Sequence, residues 1–195
     1  MYARVVALVG KDGRLPTPPV AGWDTFPWEG ELTTRVVAPP VKAEKPRRGE
    51  TPGDPCWRCE HQAEDAIWRN ESWVVTSTSK PPGLPLVLFL ESREHLDFLD
   101  MDDELASEWG RVSNNLHRIM THLPHIGRVH ISKWGDGNFH LHTWFLARTS
   151  RFPQTLGSYA AEWDEVLPPV PDDIWRADLA TVAAKLANHD GHALV

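Results

Sequence analysis

The alternation of apolar and polar positions changes twice along the chain. Residues 1 to 55 show apolar patches, VVALV, WDTFPW and LTTRVV, cut apart by proline in LPTPP, APPVKAEKP and ETPGDP. Proline fixes φ and removes a ladder donor, so this stretch predicts an extended arm with one or two short strands at most. The aromatic side chains of Trp23, Phe26 and Trp28 are costly to leave in water, which predicts that the arm lies against a folded domain.

From Asp65 the runs become short and β-rich: AIWR (66 to 69), WVVTST (73 to 78) and, after the turn KPPG, LPLVLFLE (84 to 91). Their tight connections predict an antiparallel meander. Met101, Leu105, Trp109, Val112, Leu116, Ile119, Met120 and Leu123 then recur at steps of three and four, which marks one amphipathic helix. Asp100 stands where an N-cap would, with Asp102, Asp103 and Glu104 suited to the positive helix start. RVHISKW (128 to 134) and HLHTWFLAR (140 to 148) follow as a hairpin about GDGNF, where Gly135 and Gly137 allow positive φ. A last helix is predicted over about 174 to 187, with Ile174, Leu179, Val182, Ala183 and Leu186 on its buried face.

Composition narrows the function classes. The 195 residues allow one sizeable core with appendages. A net charge of -7 argues against a long nucleic acid as partner, because phosphate affinity needs clustered Lys and Arg, although a pocket for one nucleotide is compatible with it. No run approaches the roughly 18 apolar residues of a membrane span, and the start lacks the apolar core of a secretory signal. The expectation is a cytoplasmic chain. The two cysteines, Cys56 and Cys59, are at CxxC spacing, which suits a metal or a redox pair better than a disulfide framework.

On a strand, His140, His142 and Trp144 share one face. The two imidazoles stand roughly 7 Å apart at Cα, too far for one hydrogen bond and right for two neighbouring sites. Each could bind metal, exchange protons or attack phosphorus. Cys56 and Cys59 supply half of a tetrahedral zinc site. His95 follows the long apolar strand, where its side chain could return toward the sheet. Trp134 and Trp144 are the tryptophans best placed to face a ligand, and Lys133 and Asp136 are polar candidates from their place on the hairpin.

In order and spacing, CWRC (56 to 59), AIWRNESWVV (66 to 75), SREH (92 to 95), the amphipathic helix and HISKWGDGNFHLHTWFLAR (130 to 148) resemble the histidine triad (HIT) hydrolases and nucleotidyl transferases. The family signature is His-φ-His-φ-His-φ-φ, with φ apolar. His140 matches its first histidine, His142 its second, and Trp144 occupies the place of the third. The resemblance implies an α+β fold with a five-stranded antiparallel sheet and one long helix over 56 to 150. The arm of 1 to 55 and a C-terminal extension of 151 to 195 would flank it. It also implies structural zinc on Cys56, Cys59, His95 and His140, and His142 as a nucleophile forming a covalent nucleotidyl-histidine. The ligand would be a nucleotide or nucleoside phosphate derivative, and the assembly a homodimer through the long helix and a sheet edge. Indole has one donor and no acceptor, so Trp144 can bond a phosphate oxygen but cannot pass a proton to a leaving group. That substitution keeps a second function open, a zinc-stabilised nucleotide-binding module without catalysis. The short GDGN also departs from the family's loop before the signature strand.

Overall fold

The computed structural model describes residues 1–61, 63–155 and 157–195. The chain divides into two compact units, Met1–Lys45 and Pro46–Val195. In the first, α1 (Tyr2–Leu8) is followed by a 3₁₀ turn at Pro19–Gly22, and its described residues form no strand. The apolar run VVALV is thus helical through Leu8, with Val9 extended. The remaining segments of this unit are tied locally: the Arg14 guanidinium donates to the Thr34 carbonyl, and the Thr34 hydroxyl donates to that of Leu15.

The second unit begins its ordered elements with the one-turn α2 (Trp57–Glu60), then β1 (Ala66–Arg69), β2 (Trp73–Ser77) and β3 (Leu86–Ser92). After α3 (Asp103–Thr121) come β4 (Ile126–Ser132), β5 (His142–Thr149), α4 (Ala160–Val166), α5 (Asp172–Ala187) and β6 (His192–Ala193). The strands form one antiparallel sheet in the order β4-β5-β3-β2-β1-β6. Six strands replace the expected five. The addition is β6, which pairs Ala193 with Trp68 and His192 with Arg69. A two-residue strand has no alternation to betray it, and backbone pairing alone creates it.

Apolar residues at every second position of β3 and β5, Leu86, Leu88, Leu90, Phe145 and Ala147, enter one core with Leu116 and Met120 of α3. From α5 the same core takes Trp175, Leu179, Val182, Ala183 and Leu186. These α5 positions step by four, three, one and three residues, one continuous helical stripe. Ile174, expected on that stripe, is exposed, and Trp175 occupies its place. On the opposite sheet face Val87 and Leu146 pack against Ala160 of α4. Farther along the same strands that face is left to Phe89, Glu91, His142 and Trp144, paired Phe89 with Trp144 and Glu91 with His142. No described helix is long and apolar enough to cross a membrane.

The cap of α3 also differs from expectation. Asp102, not Asp100, is the N-cap, its carboxylate accepting the Leu105 N–H at 2.8 Å. Asp100 closes the preceding 3₁₀ turn instead, accepting from the backbone N–H of Asp97. Asp102→Ala is expected to cost about 1 kcal/mol, as an N-cap deletion does; denaturant unfolding that shows no loss would remove this cap from the account.

Candidate metal centre and cleft

Cys56 caps α2 and Cys59 lies three residues on, so one helical turn brings both sulfurs to the same side. His95 arrives from the segment after β3, and His140 from the residues just before β5, which starts at His142. The four side chains converge. One potential ligand atom from each lies within 4.8 Å of all the others. Cys56 Sγ and Cys59 Sγ each stand 3.4 Å from His140 Nδ1, and Cys59 Sγ stands 3.4 Å from His95 Nδ1.

Both rings are oriented from behind. His140 Nε2 donates to the Ser92 carbonyl at 2.7 Å, and His95 Nε2 donates to the Gly49 carbonyl at 2.8 Å. A carbonyl only accepts, so each neutral ring keeps its proton on Nε2 and turns a bare Nδ1 lone pair toward the sulfurs. Both sulfurs crowd His140 Nδ1, and Cys59 Sγ also faces His95 Nδ1, so two sulfurs and two bare nitrogens stand together as four potential donors to one ion. Zinc bonded to sulfur at about 2.3 Å and nitrogen at about 2.0–2.1 Å in a tetrahedron sets S···N edges of roughly 3.6 Å, close to the three 3.4 Å separations. Burial lowers the His140 pKa, favouring the neutral ring a metal requires. Desolvation, then the adjacent Cys56, pushes the Cys59 thiol up to about 11. The donor set and ring orientation fit a tetrahedral metal ion.

Beside this cluster opens a cleft of about 530 Å³. Cys56 and His140 belong to its wall, together with Trp57, Arg58, Phe89, Glu91, His142 and Trp144. His142 is half-buried, and its Nδ1 donates to the His140 carbonyl at 2.8 Å, which leaves Nε2 as the nitrogen with the lone pair. Across the strand pair stands Glu91, buried. It accepts from Arg58 Nε at 3.0 Å and from the Thr76 hydroxyl at 2.9 Å. Burial raises the Glu91 pKa, while Arg58 and Thr76 act against that rise.

Trp144 is half-buried and meets Phe89 edge-on at a centroid distance of 4.6 Å and Trp134 at 5.3 Å. It forms an aromatic wall next to His142. Trp134 itself is exposed and touches Trp144 from outside the cleft lining. Lys133 is bound to Asp97 at 2.8 Å, and Asp136 is exposed on the hairpin turn. Neither is among the residues lining the cleft. Sequence reasoning passed over Arg58, Glu91 and Arg48. Glu91 had a signal, a lone carboxylate ending an apolar strand, and Arg58 stands between the two cysteines. Nothing in the proline-rich arm marked Arg48.

No protein-family model matches the chain, and no curated protein matches it in sequence. Among solved structures it is similar to a hypothetical histidine triad nucleotide-binding protein of Sulfolobus tokodaii, at 12% identity and a TM-score of 0.49, over 67% of this chain and 90% of that one. A histidine triad protein of Marinobacter aquaeolei is similar at 18% identity and a TM-score of 0.48, over 66% and 94%. A zinc-bound histidine triad family protein of Mycobacterium smegmatis is similar at 16% and 0.46, over 64% and 87%. The likeness is one of α+β fold.

Proposed function

We propose that the protein is a nucleotide-directed phosphohydrolase or nucleotidyl transferase with His142 as nucleophile and a structural zinc ion on Cys56, Cys59, His95 and His140. The observation that carries this reading is the tautomer imposed on His142: with Nδ1–H held by the His140 carbonyl, Nε2 offers its lone pair in an aromatic-walled cleft. In the neutral ring so fixed, the nucleophilic lone pair lies on Nε2. The Nε2 electron pair forms a bond to the phosphorus of a nucleoside phosphate derivative, and the bond to the leaving group breaks with its electrons going to that group. Water then attacks the phosphorus and gives a proton to solvent as the P–N bond breaks and its electron pair returns to Nε2. Zinc supplies no step here; it would cross-link α2 to the segments after β3 and before β5 that carry His95 and His140.

The leaving group must find its proton in solvent, because the indole of Trp144 has no basic site with which to relay one. Poor leaving groups should therefore react slowly. The same residue favours the second reading, a zinc-stabilised module that binds a nucleotide without turning it over. A panel of nucleoside phosphoramidates and dinucleoside polyphosphates tests the first, with His142→Ala as control. Turnover that persists unchanged in that variant would sink the mechanism. Calorimetric binding of a nucleotide without turnover would establish the second.

A further inference from the structure

The charged groups of the cleft are not equally available. Arg58 is engaged through Nε with buried Glu91, and its guanidinium lies 4.9 Å from the centre of the Trp57 ring. A cation already paired with a buried carboxylate has little attraction left for a second anion. Arg48 differs. Its backbone is clipped to the hairpin turn from both sides: its N–H donates to the Gly137 carbonyl at 3.1 Å, and its carbonyl accepts from Phe139 N–H at 3.1 Å. Its neighbours are fixed as firmly. The Arg47 guanidinium binds Asp97, Glu50 and the Gly135 carbonyl, and the Gly49 carbonyl accepts from His95. Gly49 has φ +76, and a Cβ there would lie 3.2 Å from His95 Cε1, so the glycine lets this segment pass close to the metal ligand.

The guanidinium of Arg48, by contrast, has no hydrogen bond or ion pair among the described residues, is exposed, and lines the cleft that holds His142 and Asn138. Its main chain is fixed and its fork of five donors is unused. Asp54 also lines the cleft and forms no ion pair with Arg48. Its charge repels a phosphate, and of the two arginines in the lining Arg48 is the one without an ion pair among the described residues.

We propose that Arg48, held by the segment before the metal-binding turn, is the cation that binds the phosphoryl group of the cleft's ligand. The inference rests on the nucleotide reading above and assigns that site its phosphate contact. Arginine is suited to this because its planar fork can meet two phosphate oxygens at once, which a lysine cannot.

The test is calorimetric titration of the full chain with four nucleoside monophosphates and their four nucleosides. For the best-bound pair, the wild type should prefer the monophosphate by about tenfold or more, the scale of one charge-assisted contact. Arg48→Ala should erase that preference while leaving nucleoside affinity in place, and Arg48→Lys should restore part of it. Arg48 is exposed, so the alanine variant should melt with the wild type. A full monophosphate preference in Arg48→Ala overturns the assignment and leaves the nucleotide reading standing. Equal affinity of the wild type for nucleoside and monophosphate also overturns it. Absence of binding by every ligand, with no turnover, removes both.

Discussion

His142→Ala is expected to lower turnover of the best nucleoside phosphoramidate by roughly 10³-fold or more, because the bond-forming nitrogen is lost and Trp144 cannot replace it. The ring is partly exposed in the cleft, and its Nδ1 bond is to a main-chain carbonyl, so the alanine variant should fold and still bind nucleotide. Binding and turnover therefore separate in this one variant. A second measurement reaches the intermediate itself. Acid quenching of the wild type during turnover should leave a nucleotidyl adduct that maps to His142 by mass spectrometry and is missing from the variant. An adduct on another residue, or full turnover without His142, would reassign the nucleophile. Substrate dependence gives a third check: without a proton relay, rates should fall as the leaving group becomes more basic.

The elements with a long apolar period were legible in the sequence. The steps of α3 show its buried face, and the β-rich runs mark where β1 to β5 lie, with β2 and most of β3 buried on both faces. Two kinds of feature escaped. One is backbone pairing without a pattern, as in β6, where Gly191 at φ +71 turns the chain back along β1. The other is the placement of a short cap: the sequence points to Asp100 as N-cap, and the 3₁₀ turn at Phe98–Asp100 moves the cap to Asp102. At the site, the cysteine spacing and the histidine strand were visible because the chemistry needs those residue types close together. Arg58 and Glu91 are 33 positions apart and meet only through folding, and Arg48 reaches the cleft only because its backbone bonds to the Gly135–Phe139 turn.

Metal removal is expected to have the largest effect on stability. Cys56, Cys59, His95 and His140 come from three separated segments, and a bound cation would join all four donors at one point. Without it, the four donors lose their shared bond, and α2 is tied to β3 chiefly by the Arg58–Glu91 ion pair. Strong chelator, or Cys59→Ser, should lower unfolding free energy by several kcal/mol, since metal binding to a site formed only on folding appears as folding free energy. The loss should depend on pH with a definite sign. In the metal-free protein the Cys59 thiol is pushed up to about 11, so at neutral pH it carries a proton that the metal must displace. Displacing that proton makes log K for zinc rise by about one per pH unit from this residue alone. His140 adds to this slope only in acid, because burial lowers its pKa and the ring is already neutral above that range. Stabilisation by zinc at fixed free concentration should therefore grow as pH rises from 6.5 through 8.5. Chelator competition and thermal melting at several pH values measure both quantities on the same samples. An affinity flat in pH would mean that Cys59 is not a ligand, and purified protein without zinc, unchanged in stability by Cys59→Ser, would refute the centre.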